Sequence, residues 1–225
     1  MKKSNVQTSE SLICIILLAI SGGGLDAYTY LCHGGKFANG QTGNLALLGL
    51  HLSEGDFQRA IGYLFPITFY IIGIILADYG KMKLKIKQLH WRQIIILIEI
   101  IILIGLVFIP YSHNQIANAL VSLVCGIQVE SFRTVSGHAI TTTMCTGNLR
   151  LGTYNTNRFF ATKKIEHLKL ALTYYSVIIF FVAGAISEGI LIKLKLGNPI
   201  ILPIIFLIIP LLIMFKREIK IGKIA

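Results

Sequence analysis

Long apolar runs separated by short polar and basic stretches set the pattern of this chain. A membrane-crossing helix needs roughly 20 mostly apolar residues, and six segments approach that length: 12–31, 61–77, 94–110, 116–135, 168–190 and 199–215. The first is interrupted by Gly22, Gly23, Gly24 and Asp26, the fourth by Gly126, Gln128, Glu130 and Arg133. Both therefore carry polar chemistry at a depth where hydrocarbon penalises it. Pro66, Pro203 and Pro210 predict kinks, and Ala185 with Gly189 form a small-xxx-small spacing that favours close helix contact.

The pattern occurs twice. Slid along itself by 104 residues, the chain brings Gly22 onto Gly126, Leu25 onto Val129, Asp26 onto Glu130 and Tyr28 onto Phe132, and TGNL at 42–45 onto TGNL at 146–149. Leu47 and Leu151 extend the match; after a six-residue insertion the offset becomes 110, pairing Arg59 with Lys169, Leu76 with Ile186 and Asp78 with Glu188. TGNL alone is weak evidence in a chain rich in Ile and Leu, but its gapless agreement with glycine and acidic positions makes it strong. Each copy holds three spans, an odd number, so the second enters the bilayer from the opposite side. The expected fold is all-α: a polytopic membrane protein, one integral domain over 1–225, with six transmembrane helices in a 3+3 inverted repeat. The copies fall at 11–110 and 115–215, with broken or re-entrant segments after the first and fourth spans.

The repeated turn is the first candidate for chemistry. Gly43 and Gly147 permit a tight turn, and Thr42, Thr146, Asn44 and Asn148 are residue types that cap the first turn of a following helix. The first such helix, 45–52, is too short to span. Non-helical backbone at membrane depth survives only where protein or a water-filled cavity satisfies its polar groups. The two turns are thus expected to face each other across a cavity and to expose amide N–H groups and positive helix ends to a shared site. The alternative is a pair of ordinary caps in two surface loops.

Composition and charge narrow the class. The chain is 54% hydrophobic and 14% charged, with a mean hydropathy of +0.71, far from a soluble domain. A net charge of +11 is no nucleic-acid footprint, because Lys and Arg lie between apolar runs instead of forming one aromatic-laced stripe. Membrane topology explains them, since basic residues stay on the cytoplasmic side. With the N-terminus inside, that side holds Lys2 and Lys3; Lys81, Lys83, Lys85, Lys87 and Arg92; Arg133, Arg150, Arg158, Lys163, Lys164 and Lys169; and Lys216, Arg217, Lys220 and Lys223. Only Lys36, Arg59, Lys193 and Lys195 of the 21 Lys and Arg residues fall outside. Both termini are expected in the cytoplasm. The opening lysines, an apolar stretch and small Ser21 and Gly22 imitate a cleavable signal peptide, but the internal copy of this region argues that it is retained. Cys14, Cys32, Cys125 and Cys145 form no CxxC pair and suggest neither a disulfide framework nor a metal role.

Asp26 and Glu130 fall late in the first and fourth spans, in opposite halves of the membrane under inversion. A charged residue there costs about 2.5 to 3.5 kcal/mol on insertion scales, so each is expected to face protein or water and to bind a proton, a cation or an amine. The structural alternative pairs Glu130 with Arg133 along one helix face and lets Asp26 cap a helix broken by its glycines. Glu99, among isoleucines in the third span, is a proton relay candidate or a neutral buried acid. Asp78 and Glu188, at span ends, read as solvated interfacial carboxylates, and His33 and His138 as hydrogen-bonded loop residues. The candidate substrate-binding set is Asp26, Thr42, Gly43, Asn44, Gln128, Glu130, Thr146, Gly147 and Asn148, with no metal and no cofactor.

GGGLDAYTYL at 22–31, FANGQTGNLALLG at 37–49 and TTTMCTGNL at 141–149 resemble the YoaK-like family of small bacterial membrane proteins, a domain-of-unknown-function group. The resemblance covers nearly the whole chain; it implies a bacterial plasma (inner) membrane location and about six spans, and it supplies no substrate. Two functions are expected to compete. One is a small-solute or ion transporter working by alternating access, in contact with the lipid bilayer and an unknown small solute or ion but no nucleic acid; six spans being few for a transporter, a homodimer fits. The other is a non-transporting membrane scaffold or assembly factor. An enzyme fits least: Ser136-Gly137-His138 is too short and isolated for nucleophilic catalysis, and no dinucleotide or phosphate-loop motif is present.

Overall fold

The computed structural model describes residues 8–84, 90–135 and 137–222. Lys2, Lys3, Lys85, Lys87, Ser136 and Lys223, invoked above, lie outside the described residues, as do the side chains of Arg217 and Lys220. Among the described residues there are eight α-helices: α1 (Leu12–Cys32), α2 (Gln41–Ser53), α3 (Phe57–Lys83), α4 (Trp91–Leu106), α5 (Asn114–Ser131), α6 (Cys145–Thr162), α7 (Ile165–Leu194) and α8 (Ile201–Gly222). A two-stranded antiparallel hairpin, β1 (Thr134–Val135) with β2 (His138–Ala139), lies between α5 and α6.

Local chemistry sets the helix ends. Ser11 Oγ accepts the Cys14 amide at 3.4 Å at the start of α1, and Asp56 accepts the Arg59 amide at 3.0 Å at the start of α3. His90 and Gln93 form a reciprocal capping box on α4. The third expected span reaches 110, but α4 stops at Leu106 and the chain closes in turns before Pro110. The fourth, expected to reach 135, stops at Ser131, where the chain enters a hairpin turned by Gly137 at φ 83°. Pro66 and Pro210 lie inside α3 and α8. Pro203 instead occupies the first turn of α8, where backbone N–H groups have no intrahelical acceptor, so it removes no bond and need not kink the helix.

The helices pack in two close pairs, α1 along α7 and α3 along α5, with α4 and α8 against α5 and α1 and against each other. Glycine makes both pairs. A Cβ on Gly23 would run into the Phe181 carbonyl and one on Gly184 into the Ile20 carbonyl; a Cβ on Gly126 would meet the Tyr70 carbonyl and one on Gly73 the Leu123 carbonyl. The close approach thus belongs to Gly184, while Gly189 touches only the Leu31 side chain. α2 lies on α3 and α6 on α7.

α1 and α5 run antiparallel. At one end His33 Nδ1 is 3.2 Å from Asn114 Oδ1 and Asn118 Nδ2 donates to the His33 carbonyl at 2.7 Å; further along, Gln128 Nε2 donates to the Leu18 carbonyl at 3.1 Å. At the other end Arg92 joins Glu10 at 3.2 Å to the Ser131 carbonyl at 2.9 Å. The core is built from Ile15, Leu18 and Leu25 of α1, Ile96 and Leu103 of α4, Val121 and Val124 of α5, and Leu207 of α8.

Outside this core, α3 exposes Ile61, Leu64, Ile71, Ile75 and Leu76, and α7 exposes Leu172, Ile179, Val182, Ile186 and Ile190. Faces this apolar suit a lipid bilayer and no aqueous surface. α1, α3 and α7 are each long and apolar enough to cross a membrane, and α8 holds a shorter apolar stretch. α4 is 16 residues long, and α5 is diluted by Asn118, Ser122, Gln128 and Glu130.

Candidate functional site

The α2 and α6 N-termini open onto one cavity of about 270 Å³, lined by Asp26, Asn39, Gly40, Gln41, Thr42, Tyr70, Thr143, Met144, Cys145, Thr146 and Phe181. The first amides of a helix have no intrahelical acceptor and carry a partial positive charge. Two such ends therefore face a space in which Asp26 is the one charged lining residue among the described residues. Asp26 Oδ1 accepts the Asn39 amide at 2.8 Å, and Asn39 Nδ2 donates to the Gly22 carbonyl at 3.1 Å. The carboxylate thereby clamps the loop that leads into α2. Asn39 Oδ1 and Thr143 Oγ1 are buried and have no hydrogen-bond partner among the described residues. Tyr70 Oη lies 3.9 Å from Met144 Sδ, spanning from α3 to the start of α6.

The repeated Thr-Gly-Asn works differently from expectation. It sits inside each helix and not ahead of it: α2 begins at Gln41 and α6 at Cys145, and the caps, Gly40 and Met144, make no side-chain bond. Gly43 and Gly147 make no turn; a Cβ on Gly43 would meet open space and one on Gly147 only the edge of Thr141. Asn44 and Asn148 reach backwards. Asn44 Nδ2 donates to the Phe37 carbonyl at 2.8 Å, and Asn148 Nδ2 donates to the Thr141 carbonyl at 2.6 Å, seven residues upstream in both copies. Each asparagine straps the incoming loop to its helix, and both are buried. Thr42 and Thr146 reach the cavity lining; Gly43, Asn44, Gly147 and Asn148 support it from behind.

The other candidates divide. Gln128 is fully buried and donates to Thr142 Oγ1 at 3.1 Å, beside the lining residue Thr143. Glu130 is elsewhere: it pairs with Arg133 at 3.1 Å, in a separate pocket with Glu10, Lys81 and Arg92. Glu99 is buried, with neither oxygen bonded among the described residues, and lies outside the lining set. Glu188 overturns its expectation as a solvated end: α7 runs on to Leu194, and the Glu188 carboxyl is fully buried near Gly24 and Pro203. Asp78 is exposed. Asn39, Gly40, Gln41, Tyr70, Thr143, Met144, Cys145 and Phe181 line the cavity but stand outside the candidate set read from sequence. The shift by 104 residues does superpose Asn39 on Thr143 and Gln41 on Cys145, so a search just upstream of the repeated triplet finds most of them.

Long apolar helices with a cavity where two helix ends meet define a helical membrane protein. Residues 14–213 match the family described as "Protein of unknown function (DUF1275)", and the chain belongs to that family. It is similar to the UPF0700 transmembrane protein YoaK of Bacillus subtilis (strain 168), 27% identical over 180 residues that cover 76% of this chain and 79% of that one. No solved structure matches significantly.

Proposed function

We propose that the protein is a small-solute or ion transporter of the plasma (inner) membrane, not an enzyme, working by alternating access around the cavity between α2 and α6. In this reading α1, α3, α4, α5, α7 and α8 cross the bilayer as a 3+3 inverted repeat, α2 and α6 are the re-entrant elements, and both termini are cytoplasmic. One observation carries it: residues that coincide under the 104-residue shift, Asn39 with Thr143, Gly40 with Met144, Gln41 with Cys145 and Thr42 with Thr146, line the same cavity. Discontinuous helices meeting at a repeat interface are how secondary transporters build a central site. The antiparallel course of α1 and α5 supports the inversion, as does the correspondence between the α1–α7 and α5–α3 pairs. So do helix starts separated by 104 residues at Gln41 and Cys145 and by 110 at Trp91 and Ile201.

Asp26 is the coupling group in this scheme. A proton on its carboxylate weakens its hold on the Asn39 amide, and the loop released is the one that positions the α2 end. The test is purified protein in proteoliposomes on a solid-supported membrane, challenged with small amines, monovalent cations and carboxylates under an imposed proton gradient. Transient currents with at least one solute class are expected. Silence with every solute, together with co-purification of one stoichiometric partner, would favour a scaffold.

A further inference from the structure

We infer a second ligand site, separate from the α2–α6 cavity: a phosphate-binding pocket between Lys36, Arg59 and the first turn of α5. The pocket has a volume of about 370 Å³, and among the described residues its lining contains no acidic side chain. Lys36 is its central cation. Its Nζ donates to the Gly62 carbonyl at 2.6 Å and sits 4.6 Å from the Tyr63 ring centre. No carboxylate lies within ion-pair distance of it among the described residues. Burial holds the ammonium below the ordinary lysine range. A half-buried ammonium with a carbonyl and a ring for company but no counter-ion is suited to an anion supplied from outside.

Three further groups shape the pocket for an anion. Arg59 is 3.3 Å from Asp56, which offsets part of its charge, yet its side chain is 73% exposed and presents further donors. Asn114 and Gln115 bring the N-terminal turn of the 18-residue α5 to the pocket, and its cap residue, His113, makes no side-chain bond to it. Such an end, beside two cations, is a ready site for phosphate oxygens. His33 braces the wall of the pocket: its ring is fully buried, and its Nδ1 faces Asn114 Oδ1 at 3.2 Å, which holds the first turn of α5 against the end of α1.

Isothermal titration of the full chain in phosphatidylcholine nanodiscs with sodium phosphate, at constant ionic strength, tests this. Saturable binding is expected. Lys36→Gln should weaken phosphate binding by roughly tenfold or more, the loss of a charge-assisted contact, and Lys36→Arg should restore part of it. Arg59→Gln, at an exposed position that leaves folding intact, should weaken binding several-fold, so the proposal stands testable even if Lys36→Gln does not fold. Nanodiscs containing phosphatidylglycerol separate the sources: undiminished phosphate binding supports a free phosphate or monoester. Loss of that binding to the anionic lipid, in a Lys36-dependent way, assigns the same site to a headgroup and overturns the free phosphate. No saturable phosphate binding in phosphatidylcholine, or binding unchanged in both variants, overturns the site. Because transport need not occur for phosphate to bind, failure here and failure of the transport reading are distinguishable.

Discussion

Gly23→Leu leaves no folded protein to purify. At the α1–α7 crossing the two backbones approach so closely that even a Cβ on Gly23 runs into the Phe181 carbonyl, and reciprocally a Cβ on Gly184 runs into Ile20. Overpacking costs about 1–3 kcal/mol where neighbouring side chains shift aside. Here the obstacle is main chain, so the helices must separate along their length and lose the packing that close approach gave them. Against a total stability of about 5–15 kcal/mol, such a loss is decisive. Fluorescence-detected size exclusion in mild detergent should show aggregate in place of a monodisperse peak, and Gly126→Leu at the α3–α5 crossing should do the same. Gly105→Ala, whose Cβ meets nothing within 4 Å, should be neutral or gain up to about 1 kcal/mol of helix propensity. Wild-type elution and melting for Gly23→Leu would contradict the packing.

Asp26→Asn has the second largest effect, on activity and not on folding. The two side chains are nearly the same size, and an asparagine Oδ1 still accepts the Asn39 amide that Asp26 now takes at 2.8 Å. What disappears is the charge and the ability to take up a proton. Proton-driven current in proteoliposomes should be lost, because position 26 can no longer take up and release a proton, while the variant elutes and melts as the parent does. Glu130→Gln is the contrast. Its partner Arg133 is 54% exposed and the pair lies outside the cavity. Such pairs are worth about 0–1 kcal/mol, so current should change little. The reverse ranking would move the working acid from Asp26 to Glu130.

Much of this arrangement was legible in the chain, and its failures have physical causes. All six apolar segments became helices because 3.6-residue packing of long Ile, Leu and Val runs needs only local information. The shift by 104 residues brought out the two triplets that α2 and α6 carry in their first turns, although the first of these helices was expected at 45–52 and begins at Gln41. The role of Thr-Gly-Asn was misread because a cap and a backward strap use the same residue types. Only the seven-residue reach of Asn44 to Phe37 and of Asn148 to Thr141 separates them. Asp26 and Glu130 are sequence equivalents with different surroundings: the first faces the clamped loop before α2, whereas the second has a cation three residues away. Glu188 shows the limit most plainly. Nothing near it in sequence reports that α8 and α1 close over it; burial of that kind depends on partners far along the chain.

The meeting of α2 and α6 at one cavity is best tested by joining them. In a chain with Cys14, Cys32 and Cys125 replaced by alanine, Gln41→Cys is paired with the native Cys145, both of them cavity-lining positions. Treated at high dilution with a short bifunctional thiol reagent, the protein should give one intramolecular bridge between the 41 and 145 peptides by mass spectrometry. Two independent single adducts, with no bridge at any spacer length that fits the cavity, would show that the two helix ends do not share a site.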